Sequence, residues 1–310
     1  MSIFINILVL LFSLVALVKG SGIFVKQASA IARRYRIPEF LIGITIVAMG
    51  TSLPELIISV FAAVQGNTTI AITSVLGSSI ANIGFIMAIT AIFGAVYIQR
   101  KSLKFDIPLS VSSVLLFLLI LYLSKGLITR GYGVVLIALF VSYFLFRYFK
   151  LRHEEEYSSI PNHSRISIPF LLLGMLLLTV GGKFCVDSAV ELANLLNISE
   201  GFIGFTILSV GSSLPELIVS VIAIRKKHYG LSLGNIVGSN FFNLFLVLGI
   251  SSTIINLPFN EYLPELVILL AYNMALIIAS FIGKKYYISK REGFLLLISY
   301  LVLLVYLFYK

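Results

Sequence analysis

Two glutamates, Glu55 and Glu216, stand in nearly identical apolar surroundings, GTSLPELIIS over residues 50–59 and GSSLPELIVS over 211–220. A carboxylate at mid-bilayer costs roughly 3 kcal/mol or more, so two of them in matched settings call for a function. Helical spacing puts Thr51 and Ser52 four and three residues before Glu55, on its face, and Ser212 and Ser213 likewise before Glu216. A second pair of blocks, SVLGSSIAN over 74–82 and NIVGSNFFN over 235–243, adds Ser78 and Asn82, and Ser239 and Asn243, again four apart. Hydroxyl, amide and carboxylate oxygens are hard donors that suit Na⁺ and Ca²⁺. No thiolate or imidazole accompanies them to favour zinc or copper.

The prolines add backbone oxygens. Pro54 has no N–H to give to the carbonyl of Gly50, and Pro215 has none for that of Gly211, so carbonyls around 48–51 and 209–212 are expected to be released from the helix ladder. The two glutamates together carry two negative charges, which one Ca²⁺ or two Na⁺ neutralise. A single intramembrane glutamate can instead snorkel or pair helices, a single proline can do no more than kink, and Ser78 and Ser239 can bond back to the carbonyl four residues earlier. Asn82 and Asn243 can alternatively pair across a helix interface. The recurrence of the whole constellation favours a cation site.

The elements that must position these residues are apolar throughout. Of 310 residues 59% are hydrophobic and 12% charged, too little polar surface for a water-soluble globule of this size. Ten segments, 3–25, 38–64, 69–97, 104–124, 130–149, 166–190, 201–224, 230–257, 262–283 and 292–309, are each long enough to cross about 30 Å of hydrocarbon. The first lacks a basic flank and reads as a helix rather than a signal peptide. Lys150 to Arg165, the longest polar connection, reads as a cytoplasmic linker between halves. Eighteen of the 23 Lys and Arg residues fall on one side of this map, which makes that side cytoplasmic and both termini extracytoplasmic. The net charge of +10 is thus topological and does not imply nucleic acid.

A shift of 161 places Gly43–Ala62 on Gly204–Ala223 with 13 of 20 positions identical, and the same shift aligns the second pair of blocks. The chain is therefore read as an internal duplication. Five spans per half is an odd number, so the copies must be inverted in the membrane, an architecture that serves alternating access in transporters. The expected fold class is an all-α membrane protein of ten transmembrane helices, two inverted five-helix repeats (1–149 and 166–310) with helices 2, 3, 7 and 8 broken. No metalloprotease or serine-hydrolase motif is present, so no enzyme activity is expected. The lone Cys185 reads as packing.

On these two blocks the sequence resembles the calcium/cation antiporter superfamily, most nearly its sodium/calcium exchanger branch of prokaryotic type. The resemblance implies Na⁺/Ca²⁺ antiport across the cell membrane, with Na⁺ and Ca²⁺ as transported ions and no prosthetic group. It implies Glu55 and Glu216 as central ligands and flanking oxygens from Thr51, Ser52, Ser212, Ser213 and the carbonyls of Ala48 and Ser209. Ser78 and Ser239 match outlying Na⁺ positions, and Asn82 and Asn243 the positions beside the glutamates. The chain departs from many prokaryotic members at Thr73 and Ser74, where they have Gly-Asn, and at Asn243, where they often have aspartate. Cation/proton exchange and a passive cation channel are the alternatives.

Overall fold

A computed structural model describes residues 3–34, 48–98, 106–152, 167–225, 229–281 and 286–309. The first half comprises α1 (Ile3–Arg34), α2 (Ala48–Thr51), α3 (Leu53–Val64), α4 (Thr68–Phe93), β1 (Val96–Tyr97), α5 (Asp106–Leu123), β2 (Leu127–Ile128) and α6 (Arg130–Arg152). The second comprises α7 (Ile168–Leu196), α8 (Glu200–Ser212), α9 (Leu214–Arg225), α10 (Tyr229–Ile254), β3 (Leu257–Pro258), α11 (Leu263–Phe281), β4 (Tyr287–Ile288) and α12 (Lys290–Tyr309). Apart from two-residue strands, the described chain is helical.

Among the described residues six helices are long and apolar enough to cross a membrane, and the bent pair α8 and α9, at 45°, makes a seventh. Three further apolar helices, Leu53–Val64, Ile107–Leu123 and Arg130–Phe146, are shorter. The first of these is the described end of the segment expected at 38–64, whose residues 38–47 lie outside the described residues. The expected linker 150–165 is described only at 150–152, which prolong α6; His153, His163 and His228 lie outside the described residues.

Local sequence accounts for the helix ends that matter. Ser52 (φ −91°, ψ 10°) and Ser213 (φ −85°, ψ 9°) leave helical geometry in the same way, one residue before Leu53-Pro54 and Leu214-Pro215 start α3 and α9. Proline is tolerated in a first turn because its missing N–H has no partner there anyway. Asn67 caps α4 by accepting the Ile70 N–H at 2.9 Å, and Ser199 caps α8 by accepting that of Phe202 at 3.1 Å. Asn197 ends α7 in the left-handed region, φ 58°.

The expected breaks in the third and eighth helices are corrected by the structure. Both helices are continuous, and each carries a π-helical turn, Asn82–Met87 in α4 and Phe242–Val247 in α10, at the position of the asparagine. One extra residue in the turn re-aims the side chains without interrupting the ladder, so no proline is required.

α4 and α10 form the core: 83% and 78% of their most apolar stretches are buried, against 28–33% in α1, α7, α11 and α12. The outer helices turn large apolar side chains such as Phe12, Leu295 and Val302 outward, a surface matched to lipid. α1 packs along α7 through bare backbone at Gly20 and Gly174, where an added Cβ would meet Leu177 Cβ or Phe24 N at 2.9 Å. The strands pair crosswise and antiparallel, β1 with β4 (Val96 opposite Ile288) and β2 with β3 (Leu127 opposite Pro258). The 161-residue shift carries β1 onto β3 and β2 to within one residue of β4, so the two pairings correspond to each other with a one-residue offset.

Candidate cation-binding site

Glu55 and Glu216 each occupy the first turn of the helix that follows a serine break, and each is only 1% exposed. Both point at the other half of the molecule. Ser213 Oγ donates to Glu55 Oε1 at 2.7 Å, and Ser52 Oγ donates to Glu216 Oε1 at 2.6 Å. Ser212 likewise faces Glu55, and Thr51 faces Glu216. Ser239, from α10, donates to Glu216 Oε1 at 3.3 Å. The motifs thus interlock: each break supplies hydroxyls to the carboxylate of the other copy.

The remaining predicted oxygens divide unevenly. Ser78 does not bond back along its own helix; its hydroxyl reaches the Ser209 carbonyl and Ser212 Oγ, both at 3.3 Å. The Ser209 carbonyl, expected to leave the ladder, still accepts the Ser213 N–H at 3.2 Å and the Ser212 hydroxyl at 3.2 Å. Pro215 lacks a donor only for Gly211, two residues later. Ala48 opens α2 and places its backbone at the corresponding point of the first motif.

The asparagines ride on the π turns. The turn holding Asn82 packs against α9, which carries Glu216, and the turn holding Asn243 packs against α3, which carries Glu55. Asn82 Nδ2 donates to Asn240 Oδ1 at 2.9 Å, whereas both polar atoms of Asn243 lack a hydrogen-bond partner. Asn82 Oδ1, Glu55 Oε2 and Glu216 Oε2 are also buried without one. Buried polar atoms are nearly always paired, and leaving one unpaired costs about 1–3 kcal/mol, more for a charged group. Four of these five atoms are oxygens, two carboxylate and two amide, and a hard cation can satisfy such a set, whereas Asn243 Nδ2 is a donor and cannot be a ligand. Among the described residues no three His, Cys, Asp or Glu side chains gather.

Sequence reasoning assigned no role to Asn235 or Asn240. Asn235 accepts from Thr51 Oγ1 at 3.4 Å and donates to the Glu216 carbonyl at 3.3 Å and Ser220 Oγ at 3.2 Å. Its counterpart Ser74 turns back to the Ile70 carbonyl at 2.7 Å. Asn240 donates to the Ser79 carbonyl at 3.1 Å while accepting from Asn82, and so ties α10 to α4. The available signal was a buried amide in an otherwise apolar helix. Glu265, in a third Leu-Pro-Glu-Leu run, is 0% exposed in the first turn of α11, away from the duplicated motifs in sequence.

A family model described as sodium/calcium exchanger protein matches residues 5–149 and 166–309. The chain is 34% identical to the sodium/calcium exchanger MaX1 of Methanosarcina acetivorans, with 98% of this chain and 99% of that protein covered. It is 32% identical to the inner membrane protein YrbG of Escherichia coli, over 79% and 78% of the two chains. Solved structures of the sodium-calcium exchanger NCX_Mj superpose with a TM-score of 0.68 at 29% identity, covering 97% of this chain and 98% of that one.

Proposed function

The chain belongs to the sodium/calcium exchanger protein family, and from that premise we propose that it is a secondary antiporter in which Na⁺ and Ca²⁺ compete for one site built on Glu55 and Glu216. The observation that carries this reading is the reciprocal pair of bonds, Ser213 to Glu55 and Ser52 to Glu216, with both Oε2 atoms unpartnered. Thr51, Ser212, Ser78, Ser239, Asn82, Asn243 and the carbonyls of Ala48 and Ser209 complete the oxygen set. Ten spans arranged as two inverted five-helix repeats, 1–149 and 166–310 about a cytoplasmic linker, accommodate the shorter helices as crossings. Both termini then face outward from the cytoplasmic membrane. The crosswise strand pairing supports the two-fold relation between the halves.

The coupling follows from charge. Two carboxylates moved through low dielectric without a counter-ion cost several kcal/mol each, so the ion-free site resists reorientation. One Ca²⁺ neutralises the pair, as do two Na⁺, and each loaded site can pass between the two membrane faces. Because the same oxygens serve both ions, loading with one requires release of the other, and the Na⁺ gradient drives Ca²⁺ the opposite way.

The test is radiolabelled Ca²⁺ uptake into proteoliposomes loaded with Na⁺ and diluted into Na⁺-free buffer, beside Glu216→Gln and a pH gradient imposed without Na⁺. Uptake that needs internal Na⁺ and is lost in the variant is expected. Uptake driven by the pH gradient selects cation/proton exchange, and uptake indifferent to both gradients selects a channel.

A further inference from the structure

The two halves, aligned by the 161-residue shift, do not make equivalent contacts around α3 and α9. Ser59, one turn beyond Glu55 on α3, donates to the Ala71 carbonyl of α4 at 2.9 Å and shares a 2.8 Å hydrogen bond with Ser251 of α10. With its proton on Ala71, Ser59 must accept from Ser251. The shift carries Ser59 to Ser220, Ala71 to Ser232 and Ser251 to Thr90. None of these bonds recurs. Ser220, one turn beyond Glu216 on α9, accepts from Asn235 instead, and the hydroxyls of Thr90 and Ser232 are buried with no hydrogen-bond partner. The pairing elements are nonetheless in place: Leu248–Ile254, carrying Ser251, packs on α3, and Ala88–Phe93, carrying Thr90, packs on α9.

A second asymmetry has the same sense. Ile57 and Phe61 of α3 rest on the bare backbone of Gly182 in α7, where a Cβ would lie 2.2 Å from Ile57 Cγ2. The counterparts of Gly182 and Ile57 are Ser21 of α1 and Ile218 of α9. These two residues line a cavity of about 270 Å³ that is bordered also by Val18, Pro215 and Thr51. α3 is seated against its neighbours, whereas α9 leaves an apolar space beside it that Thr51 borders.

We propose that the hydroxyl pairs Ser59–Ser251 and Thr90–Ser220 are alternating latches, one closing α3 and the other closing α9, of which only one is made at a time. The proposal rests on the alternating-access reading above. In this structure the first latch is made and the second released. Leaving the Thr90 hydroxyl unpaired is unfavourable, and closing α9 onto it relieves that cost, so each arrangement satisfies a polar group that the other leaves without a partner. Asn235 engages Ser220 in the released state by donating to one lone pair of its hydroxyl. Ser74, its counterpart, is bonded to Ile70 and leaves Ser59 alone. Each latch serine lies four residues after a glutamate, on the same helical face, so latching moves the carboxylate with it.

The test is disulfide trapping in the full chain with Cys185→Ala. Ser59→Cys with Ser251→Cys is expected to cross-link readily in ion-free protein, and Thr90→Cys with Ser220→Cys at least five-fold less. Adding Ser59→Ala to the second pair, which removes the first latch, is expected to raise its yield several-fold. In the chain carrying all four cysteines, the two disulfides are expected to be mutually exclusive within one molecule, as read by mass spectrometry of the digested protein. Both disulfides in one molecule, failure of the first pair to close, or a second pair indifferent to Ser59→Ala overturns the latches. Exclusive disulfides in a protein whose wild type shows no Na⁺-driven Ca²⁺ uptake would overturn the exchanger reading and leave the latches standing.

Discussion

Ser213 donates its hydroxyl to Glu55 at 2.7 Å across 158 positions of sequence, and Ser52 returns the same bond to Glu216 at 2.6 Å. The two residues that interrupt helices are therefore also the residues that hold the opposite carboxylates. A serine hydroxyl can keep its proton on the carboxylate while its lone pairs face an ion, so each serine both orients a ligand and offers one. The reciprocity has a measurable consequence. Ser52→Ala and Ser213→Ala are each expected to weaken apparent Ca²⁺ affinity by roughly ten-fold, about 1.4 kcal/mol, and by amounts that match within a factor of about three. Half-saturating Ca²⁺ for Na⁺-driven uptake measures it, and an unchanged value in either variant removes that serine from the site.

Close approach of α4 to α8 is what lets Ser78 reach the second motif. At Gly77 an added Cβ would stand 2.8 Å from Phe205 Cα, 2.9 Å from its carbonyl oxygen and 2.9 Å from Ser209 Cβ. Backbone cannot swing aside as a side chain can. Gly77→Ala is expected to cost about 1–3 kcal/mol of stability and to separate Ser78 from Ser209 and Ser212. Thermal unfolding in detergent and Na⁺-driven uptake are expected to fall together, uptake by ten-fold or more. Wild-type uptake with wild-type stability would show that the helices do not need this contact.

Much of the candidate site's geometry was legible in the sequence because its signals are local. A proline followed by a glutamate, hydroxyls three and four residues earlier and a repeated block need only helical spacing to be interpreted. The 161-residue register also identified Ser78 and Ser239, and the structure turns both toward the motifs rather than along their own helices. What escaped was long-range. The bond between Asn82 and Asn240 spans 158 positions, and that between Ser59 and Ser251 spans 192. No local pattern distinguishes such serines from those that merely back-bond, as Ser74 and Thr73 do. The third and eighth helices were misjudged for a related reason: a π turn inserts a residue without the proline that marks a break.

α1 and α7 offer a prediction at the periphery. Gly174 sits against the Phe24 backbone, its Cβ position 2.9 Å from Phe24 N and 3.1 Å from the Gly20 carbonyl oxygen. Small residues permit such contact in membranes, where no hydrophobic drive between helices compensates for bulk. Gly174→Leu is expected to push the pair apart and lower the midpoint of thermal unfolding in detergent by several degrees, with loss of folded protein from membranes. Gly131→Ala is the control, since only Thr129 Oγ1, at 3.9 Å, lies near its Cβ position. Equal behaviour of the two variants would exclude close helix packing as the reason for Gly174.

Asn243 separates function from stability most sharply. Its amide is 1% exposed, and neither its oxygen nor its nitrogen has a hydrogen-bond partner, so folding gains nothing from its polarity and loses about 1–3 kcal/mol to its desolvation. Leucine fills nearly the same volume without that cost. If Asn243 served only to pack the π turn of α10 against α3, Asn243→Leu would be neutral or better in every assay. A ligand role makes the opposite demand on activity, because removing a neutral oxygen beside Glu55 leaves the ion under-coordinated. Asn243→Leu is therefore expected to unfold in ion-free detergent at or above the wild-type temperature, to lose the stabilisation that Ca²⁺ confers on the wild type, and to lower Na⁺-driven Ca²⁺ uptake at least ten-fold. Stability raised with uptake intact would assign Asn243 to packing and leave the carboxylate pair to be completed by the serines alone.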